Sequence, residues 1–135
     1  MNRSVFLDAS FWIAYRDERQ EQHAQAATTL LRLFHERSFF VVTMPVVCEI
    51  HAHFSRSRIK KRVVLDDLFH NPIVTIADLT PADQDNALEL LQAHYDKSYS
   101  LCDATSFVVM RRLGVTRAAT FDNHFHQFGG FEIVA

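Results

Sequence analysis

Val5-Phe6-Leu7-Asp8-Ala9-Ser10 is the stretch on which the fold turns. Three consecutive apolar residues fit a strand buried on both faces, as in a parallel sheet, and the carboxylate that follows marks the passage into a helix beginning near Ser10. The same pattern recurs downstream. Phe39 to Val42 predicts a second buried strand, followed by Thr43-Met44-Pro45, an N-cap with proline in the first helical turn. Ile73 to Ile76 predicts a third strand, after which Thr80-Pro81-Ala82-Asp83 opens a capped helix that runs to about Tyr95 and buries Ala87, Leu88, Leu90 and Leu91. Ala118 to Phe121 ends at Asp122. A short helical or looped piece, Asn123 to Phe128, and a Gly129-Gly130 turn then lead to a last strand, Phe131 to Val134.

Helices fill the gaps. Glu21 to Arg37 sets Ala24, Ala27, Leu30, Leu31 and Phe34 on one stripe. Val63, Val64, Leu65, Leu68 and Phe69 form an apolar pattern that stops at Asn71-Pro72, and Leu101 to Leu113 is an apolar helix led by Asp103 and closed by Gly114. Strands alternating with helices over 135 residues, without repeats or linkers, predict one domain spanning 1–135. Its class is α/β: an open, mainly parallel sheet flanked by helices on both faces.

Composition narrows the function classes. A content of 48% hydrophobic and 22% charged residues is that of a globular protein and excludes a disordered or fibrous chain. A formal charge of −2 cannot steer a polyanion globally, so any nucleic-acid contact would use a local basic patch. Cys48 and Cys102 lie in apolar stretches without zinc or disulfide spacing, which predicts reduced thiols. The first apolar run is cut by Asp8 and lacks a cleavage site, and no run is long enough to span a bilayer. Cytoplasmic residence, with no membrane partner, is the expectation.

Four acids carry the chemistry. In a parallel sheet with right-handed crossovers every strand ends at one edge, where the following helices begin. Asp8 and Asp122 follow strands, while Glu49 and Asp103 sit in the opening turns of helices, so all four are directed to that edge. Helix capping alone accounts for one aspartate at such a place. Glu49, flanked by Val46, Val47, Cys48 and Ile50, reads instead as a buried carboxylate in need of a partner. Carboxylates ~5 Å apart repel by roughly 3 kcal/mol per pair at an effective dielectric near 20. With no Lys or Arg adjacent in sequence, a hard divalent ion, Mg²⁺ or Mn²⁺, is the simplest neutraliser. Carboxylate-held ions of this kind bind phosphate oxygens and activate water, which suits phosphodiester hydrolysis.

Four segments, Val5-Phe6-Leu7-Asp8-Ala9-Ser10, Pro45-Val46-Val47-Cys48-Glu49-Ile50, Leu101-Cys102-Asp103-Ala104-Thr105-Ser106-Phe107 and Ala119-Thr120-Phe121-Asp122-Asn123-His124-Phe125, together resemble PIN-domain nucleases, in particular the bacterial VapC toxin type. The resemblance covers essentially the whole chain. It implies an endoribonuclease cutting single-stranded or loop RNA with one or two Mg²⁺ or Mn²⁺ ions, commonly a homodimer held inactive by a small antitoxin. It also implies that Asp8 and Asp103 are the principal metal ligands, completed by Glu49 and Asp122. Ser10 and Thr120 match hydroxyl positions beside that quartet, which would orient water or phosphate. Where some family members carry a further acid, this chain has Asn123 and His124.

Arg56, Arg58, Lys60, Lys61 and Arg62 form a basic run that could grip RNA, or simply a solvated helix face. His51 and His53 diverge on a helix and His124 and His126 lack cysteine partners, so the histidines read as structural or surface residues. Phe11, Trp12 and Tyr15 offer a groove for an antitoxin helix or twin subunit, with core packing favoured for the first two. Two rival readings are an inactive PIN-like module that binds RNA or protein, and an aspartyl-phosphate phosphatase of the haloacid dehalogenase type. Ser10, where that phosphatase needs a second acid, counts against the latter.

Overall fold

The computed structural model describes residues 3–135. Val5, Phe6 and Leu7 form strand β1 (Ser4–Leu7) and are wholly buried, because helices cover both of its faces. The elements that follow are α1 (Ala9–Arg16), α2 (His23–His35), β2 (Phe39–Thr43), α3 (Met44–His53), α4 (Arg58–Phe69), β3 (Val74–Ala77), α5 (Pro81–Ala93), α6 (Leu101–Leu113), β4 (Arg117–Ala119), α7 (Asn123–Phe128) and β5 (Glu132–Ile133). All strand pairs are parallel, in the order β3-β2-β1-β4-β5.

That order decides where a ligand can bind. From β1 the chain steps outward through β2 to β3, then crosses back to lay β4 against the other side of β1 and continues to β5. Right-handed crossovers therefore put α1 to α4 on one face and α5 to α7 on the other. The direction of winding reverses between β1 and β4, and the carboxyl ends of the two strands at such a reversal flank a crevice. Leu7 pairs with Ala119, so Asp8 and the chain after β4 emerge side by side there.

Local signals fix the helix ends. Ser100 and Asp103 form a capping box at the start of α6, Thr80 and Asp83 another at α5, and Gly114 ends α6 at φ +68°, a left-handed conformation open to glycine. Thr43 stands at the N-cap of α3 as expected, yet its Oγ1 makes no cap bond and is buried without a partner among the described residues.

One helix turns a different face inward from the one its spacing predicts. Ala24, Ala27, Leu31 and Phe34 point outward, with Phe34 65% exposed, and α2 packs through Ala26, Thr29 and Leu33, with Leu30 half-buried. Two apolar stripes one residue apart overlap on this helix, and periodicity cannot choose between them. Leu88 on α5 is likewise exposed, and that helix ends at Ala93 rather than Tyr95. Phe11 and Trp12 belong to the core, as favoured, and Tyr15 is half-buried against it; Trp12 and Tyr15 edge a cavity that Leu30 and Phe34 also line, and Phe11 does not reach it.

A polar clasp joins α1 to α4. Asp67 accepts hydrogen bonds from Trp12 Nε1 at 3.0 Å and from Arg16 Nε and Nη2 at 2.7 and 2.6 Å. Asp67→Ala strands the indole N–H and the guanidinium together. It is expected to cost about 2 kcal/mol in urea denaturation, and an unchanged midpoint would remove the clasp from the stability account.

Candidate functional site

Asp8 is only 5% exposed and sits at the N-cap of α1, but its side chain makes no cap bond. Capping therefore does not explain it. Its Oδ2 instead accepts from Ser10 Oγ at 2.6 Å and Thr120 Oγ1 at 2.8 Å. These hydroxyls are themselves fixed, since the backbone N–H of Phe121 donates to Ser10 Oγ and that of Asp122 to Thr120 Oγ1, each at 2.9 Å. Ser10 and Thr120 thus donate their protons to Asp8 and hold its carboxylate in place. Burial pushes the Asp8 carboxyl up to about 6, against the two hydroxyls, with the charges of Asp122 and Asp103 adding to the rise.

Asp103 and Asp122 do cap helices. Asp103 Oδ2 accepts the Ser100 N–H at 3.0 Å, and Asp122 Oδ1 accepts the His124 N–H at 2.9 Å. In both cases one oxygen is held by the backbone. The other, like Asp8 Oδ1, has no hydrogen-bond partner among the described residues and is free to reach a cation. Among the described residues no lysine or arginine pairs with any of the four acids.

Glu49 is exposed, which overturns its reading as a buried carboxylate. It still belongs to the neighbourhood. The Cys102 thiol, half-buried, lies within the fields of Glu49, Asp8 and Asp103; burial first and these charges second push its pKa well up. Both cysteines are free.

Sequence reasoning missed His124. Its Nδ1 lies 2.7 Å from Asp103 Oδ2 and 3.4 Å from Asp122 Oδ1, and ligand atoms of Asp103, Asp122 and His124 all fall within 4.8 Å of one another. The signal lay in the spacing: a side chain in a first helical turn leans back toward the helix start, and His124 is two residues beyond the aspartate that caps α7.

The basic run divides. Lys60 Nζ donates to Arg16 O at 3.0 Å and pairs with Glu18, so it ties α4 to the end of α1. Arg56, Arg58, Lys61 and Arg62 form no ion pair among the described residues. Because Lys60 anchors the run at the C-terminal end of α1, it lies roughly 12 Å of helix away from Asp8 rather than beside it.

The donor set fits a divalent cation: buried or half-buried aspartates in mutual repulsion, each with a free oxygen, at the carboxyl edge of the sheet. No helix among the described residues is long and apolar enough to cross a membrane. Comparison with known proteins agrees with this architecture. The 23S rRNA-specific endonuclease VapC20 of Mycobacterium tuberculosis, in strains CDC 1551 / Oshkosh and ATCC 25618 / H37Rv, is 30% identical over 131 residues, spanning 96% of this chain and 97% of that protein. The crystal structure of M. tuberculosis VapC20, described as a Sarcin-Ricin loop cleaving toxin, matches with a TM-score of 0.85 at 27% identity, covering 97% of this chain and 99% of that one. The PIN domain model matches residues 5–130, and this extent, together with the acids gathered where the sheet reverses its winding, makes the chain a member of the PIN domain family.

Proposed function

We propose that residues 1–135 act as one metal-dependent endoribonuclease that hydrolyses phosphodiesters in a structured RNA loop, as the toxin of a toxin-antitoxin pair. The observation that carries this reading is the meeting of Asp8, Asp103 and Asp122 where β1 and β4 end, within one another's fields and with no lysine or arginine paired to them among the described residues. Ribosomal RNA is the substrate class suggested by the M. tuberculosis relative, named for 23S rRNA. A small antitoxin, a homodimeric assembly and cytoplasmic residence belong to the same proposal.

Asp8, Asp103, Glu49 and Asp122 would hold Mg²⁺ or Mn²⁺, which when bound offsets their repulsion and lowers the pKa of water at a phosphate. The protein's own part is positional. Ser10 and Thr120 aim Asp8 by fixing Oδ2, Ser100 fixes Asp103, and the His124 amide fixes Asp122, so the orientation of each carboxylate is set before any ion binds. Arg56, Arg58, Lys61 and Arg62 would meet phosphates flanking the cut along the α1–α4 side.

The test is a cleavage assay on ribosomal stem-loop RNA. Cleavage is expected with Mn²⁺ or Mg²⁺, to stop with excess EDTA and to return when the ion is resupplied; cutting that persists in EDTA would refute the metal-dependent mechanism.

A further inference from the structure

We propose that His124 is a nitrogen ligand of the metal centre and turns it toward Mn²⁺ or another first-row transition ion in preference to Mg²⁺. This rests on the reading that Asp103 and Asp122 hold a divalent ion.

The geometry supplies the argument. Donors ~2.0–2.4 Å from a shared small cation lie no more than about 4.8 Å apart. One ligand atom each from Asp103, Asp122 and His124 meets that limit. Nδ1 is the ring nitrogen turned to both carboxylates, at 2.7 and 3.4 Å. The other nitrogen, Nε2, lies 3.1 Å from Ser98 Oγ. A histidine that binds a metal through one nitrogen hands its other N–H to an outer acceptor, and Ser98 stands in that place. With Nδ1 facing the ion, Nε2 would carry the ring proton and donate it to Ser98. Tyr99, edge-on to the imidazole at 5.4 Å, limits the ring's tilt. The side chain keeps 25% of its surface exposed, so an ion reaches it from solvent.

Chemistry then gives the preference. Mg²⁺ takes oxygen donors almost exclusively, whereas imidazole suits the transition ions, and affinity rises from Mn²⁺ along the series to Cu²⁺. A carboxylate in place of His124 would serve both kinds of ion.

Isothermal titration of the full chain with Mn²⁺ and with Mg²⁺, without RNA, tests this on wild type, His124→Ala and His124→Asn. Wild type is expected to bind Mn²⁺ at least about tenfold more tightly than Mg²⁺, and both variants to lose about tenfold of that ratio. Electron spin-echo spectra of bound Mn²⁺ should show a directly coordinated nitrogen in wild type and none in His124→Ala. A histidine acting only through its charge or hydrogen bonds would move both affinities together; an unchanged ratio, or no nitrogen signal in wild type, overturns the assignment. If neither ion binds wild type, the metal-centre reading fails and this inference with it. An unchanged ratio with both ions bound overturns this inference alone.

Discussion

Replacing Asp8 with asparagine is expected to abolish RNA cleavage and, at pH 7.5 in EDTA, to make the protein more stable by about 3 kcal/mol. The sign follows from burial. An Asp carboxyl with an ordinary value of 3.8 is raised to about 6 in the folded state, so the native protein binds the proton more tightly than the unfolded chain. The resulting stability is fully present below pH ~4 and is lost as pH rises through ~6; above that the folded state carries a charge that burial disfavours. The asparagine side chain keeps the shape and an oxygen for Ser10 and Thr120 while shedding the charge. Its advantage should shrink to nothing near pH 4, and it should narrow when wild type is saturated with divalent ion, since ligand binding to the native state stabilises it. Urea unfolding at pH 4 and 7.5 measures this. A variant less stable than wild type at pH 7.5, or a gain that ignores pH, would contradict the idea that Asp8 is kept strained for function.

Asp103→Asn separates chemistry from architecture even more sharply. The asparagine oxygen can still accept the Ser100 N–H, so the cap of α6 survives and the melting temperature should barely move. Cleavage should nevertheless fall by about 10³-fold or more, the equivalent of several kcal/mol of lost charge stabilisation at the scissile phosphate. Asp103→Ala should lose the same activity and, in addition, about 1 kcal/mol of stability with the cap. Single-turnover cleavage beside circular dichroism melting distinguishes the two losses; Asp103→Asn activity within tenfold of wild type would remove Asp103 from the metal centre.

The contrast between these aspartates also explains what the sequence could disclose. The bounds of α6 were legible to the residue because Ser100, Asp103 and Gly114 are local signals acting within a few residues of themselves. The sheet was legible because fully buried parallel strands need apolar runs such as Val5-Phe6-Leu7. Which stripe of α2 turns inward depends on its docking against α1, a tertiary choice that the spacing of Ala26 and Leu33 shares with that of Ala27 and Phe34. The exposure of Glu49 escapes the sequence for a related reason: its apolar neighbours along the chain lie on other faces of the same helix. That Asp8 makes no cap bond, and that His124 swings into the acid pair, are likewise facts of three-dimensional approach between β1 and the chain after β4.

The reversal of winding that sets β4 beside β1 has an effect on when activity can arise. Asp8 precedes by more than a hundred residues the hydroxyl and the backbone amides that aim it, those of Thr120, Phe121 and Asp122. The site is therefore incomplete in any chain that has not yet laid β4 beside β1, and it is assembled by that one long-range pairing rather than by any local segment.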